Sequence, residues 1–439
     1  MTLARIALAA LGTAVLGACG GGGGGGGDSL EWVGTVIDSA GVAIVSNPQE
    51  GTWTQSSRWT VVEELRIGTT EGDPDYQFGQ ISGIGVASDG RIFVLDQQAA
   101  EVRVFSPDGL LENKFGRPGS APGELGAQGA GPLLVGAGDT LFVPDLANQR
   151  VVRFSPAGEA LGSFRLDLTQ GIPLRWEVND SGRLVSHIRH FPLPGQVAEP
   201  DTMDAIVERD SDGTILDTLL SIPAGRTFSA AGGRPEFHFF SAEPAWALAP
   251  DGHILFGVND DYRIGMYDHA GRLERVIAKD FERQEVTGTD EDVFTEAIER
   301  AWTNAGVPRA ALSQLRSAIS YEQFFPVYLQ FLSGPAQSLW VQHLNPPSNL
   351  TEEQRENLNP QLGFGMGAPD WDVFDAEGRY LGVVTMPERY QPLRFVGDQV
   401  YGVWRDELDV QYVMKMRVIG VPRVGGEGDT GAVPVGAGG

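Results

Sequence analysis

Short runs of β-branched and aromatic residues, each closed by a glycine turn, recur along this chain. Asp89-Gly90-Arg91-Ile92-Phe93-Val94-Leu95-Asp96 leads into Val102-Arg103-Val104-Phe105-Ser106-Pro107-Asp108-Gly109. The same phrase returns as Gly138-Asp139-Thr140-Leu141-Phe142-Val143-Pro144-Asp145 followed by Val151-Val152-Arg153-Phe154-Ser155-Pro156-Ala157-Gly158. Each is a strand, a short loop, a second strand ending in Phe and a Gly turn. A repeat of about 40–50 residues built from strands predicts a β-propeller.

Four strands per blade, innermost to outermost, account for most of the chain. The first blade is expected at 81–87, 91–95, 101–105 and 110–115, and the second at 133–135, 141–143, 151–154 and 160–166. The third takes 174–178, 183–188, 205–209 and 215–221, with a Pro-rich excursion at 191–203. The fourth takes 245–248, 253–258, 263–267 and 273–278. The fifth takes 327–331, 339–343, 371–374 and 380–385, interrupted by an excursion at 345–369. The sixth supplies only 393–396, 399–404 and 410–418.

Trp59-Thr60-Val61-Val62-Glu63-Glu64-Leu65-Arg66-Ile67 lies just ahead of the first blade and is expected to supply the missing outer strand. Such closure removes two open sheet edges. Residues 42–46 are a second candidate for that place, or for one beside it. The expectation is an all-β, six-bladed propeller over 31–419, with a seventh blade if 31–45 contributes more.

One segment breaks the period of two. In Asp290-Glu291-Asp292-Val293-Phe294-Thr295-Glu296-Ala297-Ile298-Glu299-Arg300-Ala301-Trp302 the acids fill a first turn. Val293, Ala297 and Ala301, with Phe294, Ile298 and Trp302 one step on, form an apolar stripe, the pattern of an amphipathic helix. Gly306 ends it and Pro308 opens a second helix at 309–318. A helical hairpin at about 289–318 is therefore expected between blades four and five. The Gly-rich tail at 420–439 is expected to be disordered.

Composition narrows the partners. Among 439 residues, 41% are apolar, enough for a large core, and 59 glycines with 27 prolines suit many tight turns. A formal net charge of −26 disfavours nucleic acid and would repel anionic lipid headgroups. The single cysteine excludes an intramolecular disulfide, so stability must come from burial.

That cysteine stands at the end of an apolar run. Arg5 gives a short positive region, 6–15 are too few apolar residues to span a bilayer, and Leu16-Gly17-Ala18-Cys19 follows. This resembles the bacterial lipoprotein signal, which implies removal of 1–18 and lipidation of Cys19. Two acyl chains give stable anchoring where one would be marginal. Residues 20–27 are all glycine, a flexible tether within 19–30 that holds the body within tens of ångströms of the membrane. Gly rather than Asp after the cysteine resembles lipoproteins sent to the outer membrane.

Val143-Pro144-Asp145-Leu146-Ala147-Asn148-Gln149-Arg150-Val151-Val152-Arg153-Phe154 resembles an NHL repeat. The first blade keeps Asp96 but carries Ala99-Ala100-Glu101 where Asn and Arg would fall, and the fourth has the looser Asn259-Asp260-Asp261-Tyr262-Arg263. More broadly the chain is similar to bacterial six-bladed propeller proteins that are secreted or lipidated. The shared features are the opening Val36-Ile37-Asp38-Ser39-Ala40-Gly41-Val42, the Phe115-Gly116-Arg117-Pro118-Gly119 loop and a helical insert. What this resemblance implies is a binding scaffold, and a fold does not fix a function.

Propellers take ligands at the channel mouth formed by loops between second and third strands and by blade-to-blade connections. Those loops hold Asp96, Asp145, His187, Arg189, Asp260, Asp261, Arg405 and Asp406, the candidate binding residues. Asp145, Asn148 and Arg150 also fit a purely structural loop bracket. At period two His187 and Arg189 share a face and His190 takes the other, so the two histidines do not ligate one metal from a regular strand. No catalytic residue, metal ligand set or cofactor is assigned. Ca²⁺ stands as the one candidate, with Glu243, Asn179, Asn259 and Asp260 near suitable strands. No Gly-x-Ser-x-Gly nucleophile motif occurs. Phe237, Phe239, Phe240, Trp246, Phe324, Phe325 and Tyr328 are expected to fill gaps between blades. The reading is a lipid-anchored envelope module for a peptide, carbohydrate or protein partner; its alternative is a divalent-metal hydrolase or lyase of the lactonase or arylesterase kind.

Overall fold

The computed structural model, which describes residues 29–127, 129–190, 203–229, 236–358 and 366–422, arranges the repeats as six blades. Blade 1 is Ile81–Val86, Ile92–Asp96, Glu101–Phe105 and Leu111–Phe115. Blade 2 is Leu134–Val135, Leu141–Asp145, Arg150–Phe154 and Ala160–Arg165. Blade 3 is Ile172–Val178, Leu184–Arg189, Met203–Arg209 and Ile215–Pro223. Blade 4 is Pro244–Leu248, Ile254–Val258, Arg263–Tyr267 and Leu273–Lys279. Blade 5 is Phe331–Ser333, Leu339–Leu344, Gly367–Phe374 and Tyr380–Thr385. Blade 6 is Tyr390–Val396, Gln399–Arg405 and Gln411–Ile419. The lipobox with Cys19, the glycine tether, the excursion at 191–202 and the tail from 423 lie outside the described residues; Val421 still packs on the core.

Why a ring forms is visible in how apolar side chains are shared. Strand alternation gives each blade two apolar faces, and each face is buried against the next blade. Six separate clusters result, one per gap, from blades 1 and 2 (Phe93, Leu133, Phe154) around to blades 6 and 1 (Phe105, Tyr401, Val413). The inner strands touch in cyclic order, and the last reaches the first. Glycine has a specific task here: a Cβ on Gly85 would sit 2.6 Å from Val135 of blade 2.

Thr60–Ile67 pairs antiparallel with Gln411–Ile419, as the fourth strand of blade 6. The predicted closure is therefore present. Residues 42–46 behave differently from the expectation. Val42–Asn47 runs parallel to Leu273–Lys279, and Thr35–Ser39 folds back outside it, so blade 4 has six strands and there is no seventh blade. Asn47 shows why. Its buried amide donates to the carbonyls of Ala278 and Gly378, and its carbonyl accepts from Trp32 Nε1 and Tyr380 N.

Blade 5 departs from expectation at its inner strand, placed at 327–331 by alternation. The regular ladder begins at Phe331, although Leu329 N–H and the Gln330 carbonyl already bond Gln342, and Tyr328 is buried in the gap between blades 4 and 5.

The helical insertion is in the expected place, starting one residue earlier and ending two residues sooner than expected. Helix α1 (Gly288–Asn304) is capped by Thr287 with Asp290 in a reciprocal capping box, and α2 is Arg309–Arg316. Two further pieces join it: a small sheet of Phe228–Ser229, Glu236–Phe239 and Ile319–Tyr321, and the turn of helix α3 (Glu352–Glu356). They share a core of Phe239, Phe240, Phe294, Trp302, Phe325, Leu350 and Leu358. Phe237, Phe239, Phe240 and Phe325 thus build a cap rather than fill blade gaps, while Trp246 and Tyr328 do fill them.

Candidate functional site

Loops between second and third strands, and connections from one blade to the next, all emerge on one face, here the upper. The cap rises there over blades 4 and 5, drawn from the 3-to-4 and 4-to-5 connections and from the long loop of blade 5. Asp290 ties it together, accepting from Thr287 and, at 2.8 Å, from the backbone of Ser348. Across the ring the same face carries two depressions. A shallow depression of about 400 Å³ lies between blades 1 and 2, lined by Ser82, Gln97, Gly129, Gly131, Leu146 and Ala147. A second of about 400 Å³ lies beside blades 2 and 3, lined by Gln149, Arg165 and Leu166 to Thr169.

The candidate residues stand in or beside the second strands of their own blades. Asp96 is buried and accepts from Gly79, Gln80 and Gln98 N–H groups at 2.9–3.1 Å, with Arg103 at 3.4 Å. Asp145 is fully buried and accepts from Gly126 N, from Asn148 Nδ2 at 2.7 Å and from Arg150 Nε at 3.3 Å. These brackets are alike although blade 1 lacks the repeat's Asn and Arg. Arg103, two residues along the strand, supplies the missing charge.

Asp406 closes its own turn, accepting from Leu408 N and Val410 N, and Arg405 reaches Asp409 at 3.1 Å. Asp260 and Asp261 are exposed at a loop tip. His187 and Arg189 share a face, and both bind Asp204, His187 through Nε2 at 2.7 Å and Arg189 through Nε and Nη2. Burial raises Asp204, but these hydrogen bonds and the Arg189 charge outweigh it and hold the carboxyl below its ordinary value. Asp204 was not singled out from sequence; its signal is a lone acid at the start of the apolar strand Met203–Arg209.

The four Ca²⁺ candidates do not converge. Asn179 lies in the loop after an inner strand, on the lower face, where it bonds Glu208 and Ser181. Glu243 accepts from the Arg226 and Thr227 N–H groups, and Asn259 bonds Glu243 N and Tyr328 O. Among the described residues no group of three or more His, Cys, Asp or Glu side chains is placed to hold a metal.

The strongest electrostatic centre was invisible to strand patterning. Asp372, in the third strand of blade 5, accepts from Tyr262 and Tyr380 hydroxyls at 2.6 Å, Lys279 Nζ at 2.9 Å and His343 Nε2 at 3.0 Å. Burial alone would raise it, yet His343, then Lys279 and Tyr262, hold it well below the usual carboxylate range. Burial, and then Asp372 itself, push Tyr262 and Tyr380 upward. All four donors meet one carboxylate in the gap between blades 4 and 5, an arrangement that locks blades together.

No protein-family model matches the chain, and no curated protein matches it by sequence. Several solved structures align with most of the chain. A Bacteroides fragilis protein described as exported aligns at 12% identity and TM-score 0.49, over 85% of this chain and 99% of its own. A member of the duf4221 family from Bacteroides vulgatus aligns at 12% and 0.49, over 82% and 99%. A gluconolactonase of Xanthomonas campestris aligns at 11% and 0.40, over 78% and 87%. These likenesses concern fold alone.

Proposed function

We propose that this chain is a lipid-anchored protein of the bacterial envelope, held at the outer membrane through Cys19, whose propeller binds a peptide, carbohydrate or protein partner on its upper face. One observation carries the reading: the cap over blades 4 and 5 and two shallow depressions, a shelf between blades 1 and 2 and a second beside blades 2 and 3, share that face. A depression is a concave surface, the shape that recognition sites take. The exposed Asp260 and Asp261 and the rim residue Arg405 supply polar contacts around it.

The test is binding of the mature protein to defined peptide and glycan arrays, with Leu146→Asp on the shelf and Asp260→Ala/Asp261→Ala on the rim. A ligand whose affinity falls in these variants while the fold persists supports the reading. Turnover of a lactone or ester that depends on added divalent metal would replace it with the hydrolase alternative. Labelling of wild type but not Cys19→Ala by a fatty-acid analogue checks the anchor separately.

A further inference from the structure

The outer strands of blades 1, 2, 3, 5 and 6 each pair with their neighbour through a register shift. Bulges of that kind twist an edge away from foreign strands, one of the ways proteins blunt it. Blade 4 is different. Its outer strand is covered by Val42–Asn47, and Thr35–Ser39 forms the final edge, both joined in straight register. That last strand holds no proline or lysine, and all five of its residues are exposed. Its single charge, Asp38, is turned onto its own hairpin, accepting from Gly41 N at 3.1 Å. Val36 is 55% and Ile37 56% exposed, with Leu30 and Val33 exposed just ahead of them.

The hairpin fixes which backbone groups face that edge. Ala40 and Gly41 have φ of 57° and 87°, a two-residue type I′ turn. The residues flanking such a turn, Ser39 and Val42, exchange both backbone hydrogen bonds, and by alternation so do Ile37 and Ile44. The N–H and C=O groups of Val36 and Asp38 therefore point outward. A lipid surface would leave them unpaired, whereas another strand satisfies them.

We propose that Thr35–Ser39 pairs antiparallel with the same strand of a second copy, joining two propellers into a two-fold dimer at the membrane. Centring the pair on Ile37 uses all five residues. Ile37 then meets its own symmetry mate as a non-hydrogen-bonded pair, and Val36 of each copy exchanges two bonds with Asp38 of the other. Like charges stay apart in this register, while centring on Asp38 would oppose two carboxylates. The two strand starts stand about 14 Å apart. Residues 20–28 reach about 30 Å at full extension, so both Cys19 anchors can enter one bilayer. Five residues a side bury less than the roughly 1,200 Å² at which stable interfaces begin, so the pair is weak in solution. Confinement beside the bilayer raises the local concentration and populates it. That last step rests on the anchor proposed above; the strand pairing does not.

The pairing is tested first without lipid, on the mature chain carrying Cys19→Ala, which has no other cysteine. Sedimentation at rising concentration should show a reversible dimer. Adding Ile37→Lys places two like charges at the axis and should raise its Kd about tenfold, with Tm unchanged because residue 37 is exposed. Adding Ile37→Cys should give a disulfide dimer on mild oxidation, since facing Cα atoms there stand about 4.5 Å apart. Val62→Cys, exposed on the outer strand of blade 6, should not. In membranes, a photo-crosslinker at position 37 of the full chain should join it to its own copy. A monomer at every concentration, a dimer unmoved by Ile37→Lys, equal disulfide formation from Val62→Cys, or photo-capture of lipid or of a different protein overturns the proposal. Failure of fatty-acid labelling at Cys19 strikes the anchor alone, because the first three measurements need no lipid.

Discussion

Replacing Asp372 with Asn keeps the side chain's shape and removes its charge. In the native protein the carboxylate is 1% exposed and Lys279 12%, so the variant leaves an ammonium in a nearly dry gap with no counter-charge. The new amide also turns a donor toward one of Tyr262, Tyr380, His343 or Lys279, all of which donate to Asp372. Breaking a buried pair from one side costs about 3–5 kcal/mol. His343 is 36% exposed and adds little through its charge. The expected loss at pH 7 is therefore about 3–5 kcal/mol, a fall in urea midpoint on the order of 1 M.

The assay is equilibrium urea unfolding followed by the fluorescence of Trp340 and Trp371, both buried in blade 5 on the side that faces blade 6. The folded-state pKa of Asp372 lies below the unfolded value, so its contribution is complete above about pH 4 and is lost as pH falls through the folded value. The gap between wild type and variant should be constant near neutrality and shrink in acid. Adding Lys279→Met to the Asn variant should recover most of the loss, because the orphaned charge goes with it. An Asn variant as stable as wild type at pH 7, or a gap that widens in acid, would refute the account.

Three further outcomes follow from single features. Asn47→Ala strips the Tyr380 N–H and the Ala278 and Gly378 carbonyls of their partner and should cost about 2–3 kcal/mol by thermal unfolding; a loss within error would show that the N-terminal hairpin is not held by this side chain. Truncation before Gly68 removes the closing strand and leaves Gln411–Ile419 as an open edge, so the protein should self-associate on light scattering; a stable monomer would contradict the closure. Thr287→Ala removes the α1 cap and should cost about 1 kcal/mol, with faster amide exchange confined to the cap's first helical turn; exchange rising equally in the blades would tie cap and ring into one unit.

Particular residues show how far local pattern reaches. The strand Ile92–Asp96 and its partner Glu101–Phe105 were legible because alternation and a glycine turn are properties of neighbours in sequence. The inner strand of blade 5 starts its regular ladder later than alternation suggests, and Tyr328 before it packs with residues of blade 4 that no local pattern reveals. The helix at Gly288–Asn304 was legible from its stripe, but not what the stripe covers, since Phe239 arrives from one connection and Leu350 and Leu358 from another. Asp96 and Asp145, nominated for the upper face, end second strands there. That Asp96 and Asp145 are consumed by backbone N–H groups follows from loop geometry.

By itself, then, the amino-acid order determined a ring of six strand-built units, its closing segment and the position of its helical insertion, because period, turn chemistry and capping act over a few residues. Only the folded molecule decided where Val42–Asn47 docks and which charges meet at Asp372. Lys279 and Asp372 are 93 residues apart, and Asn47 bonds Ala278 across 231. Contacts at such separations are set by ring closure, which brings together strand ends whose local patterns carry no trace of one another.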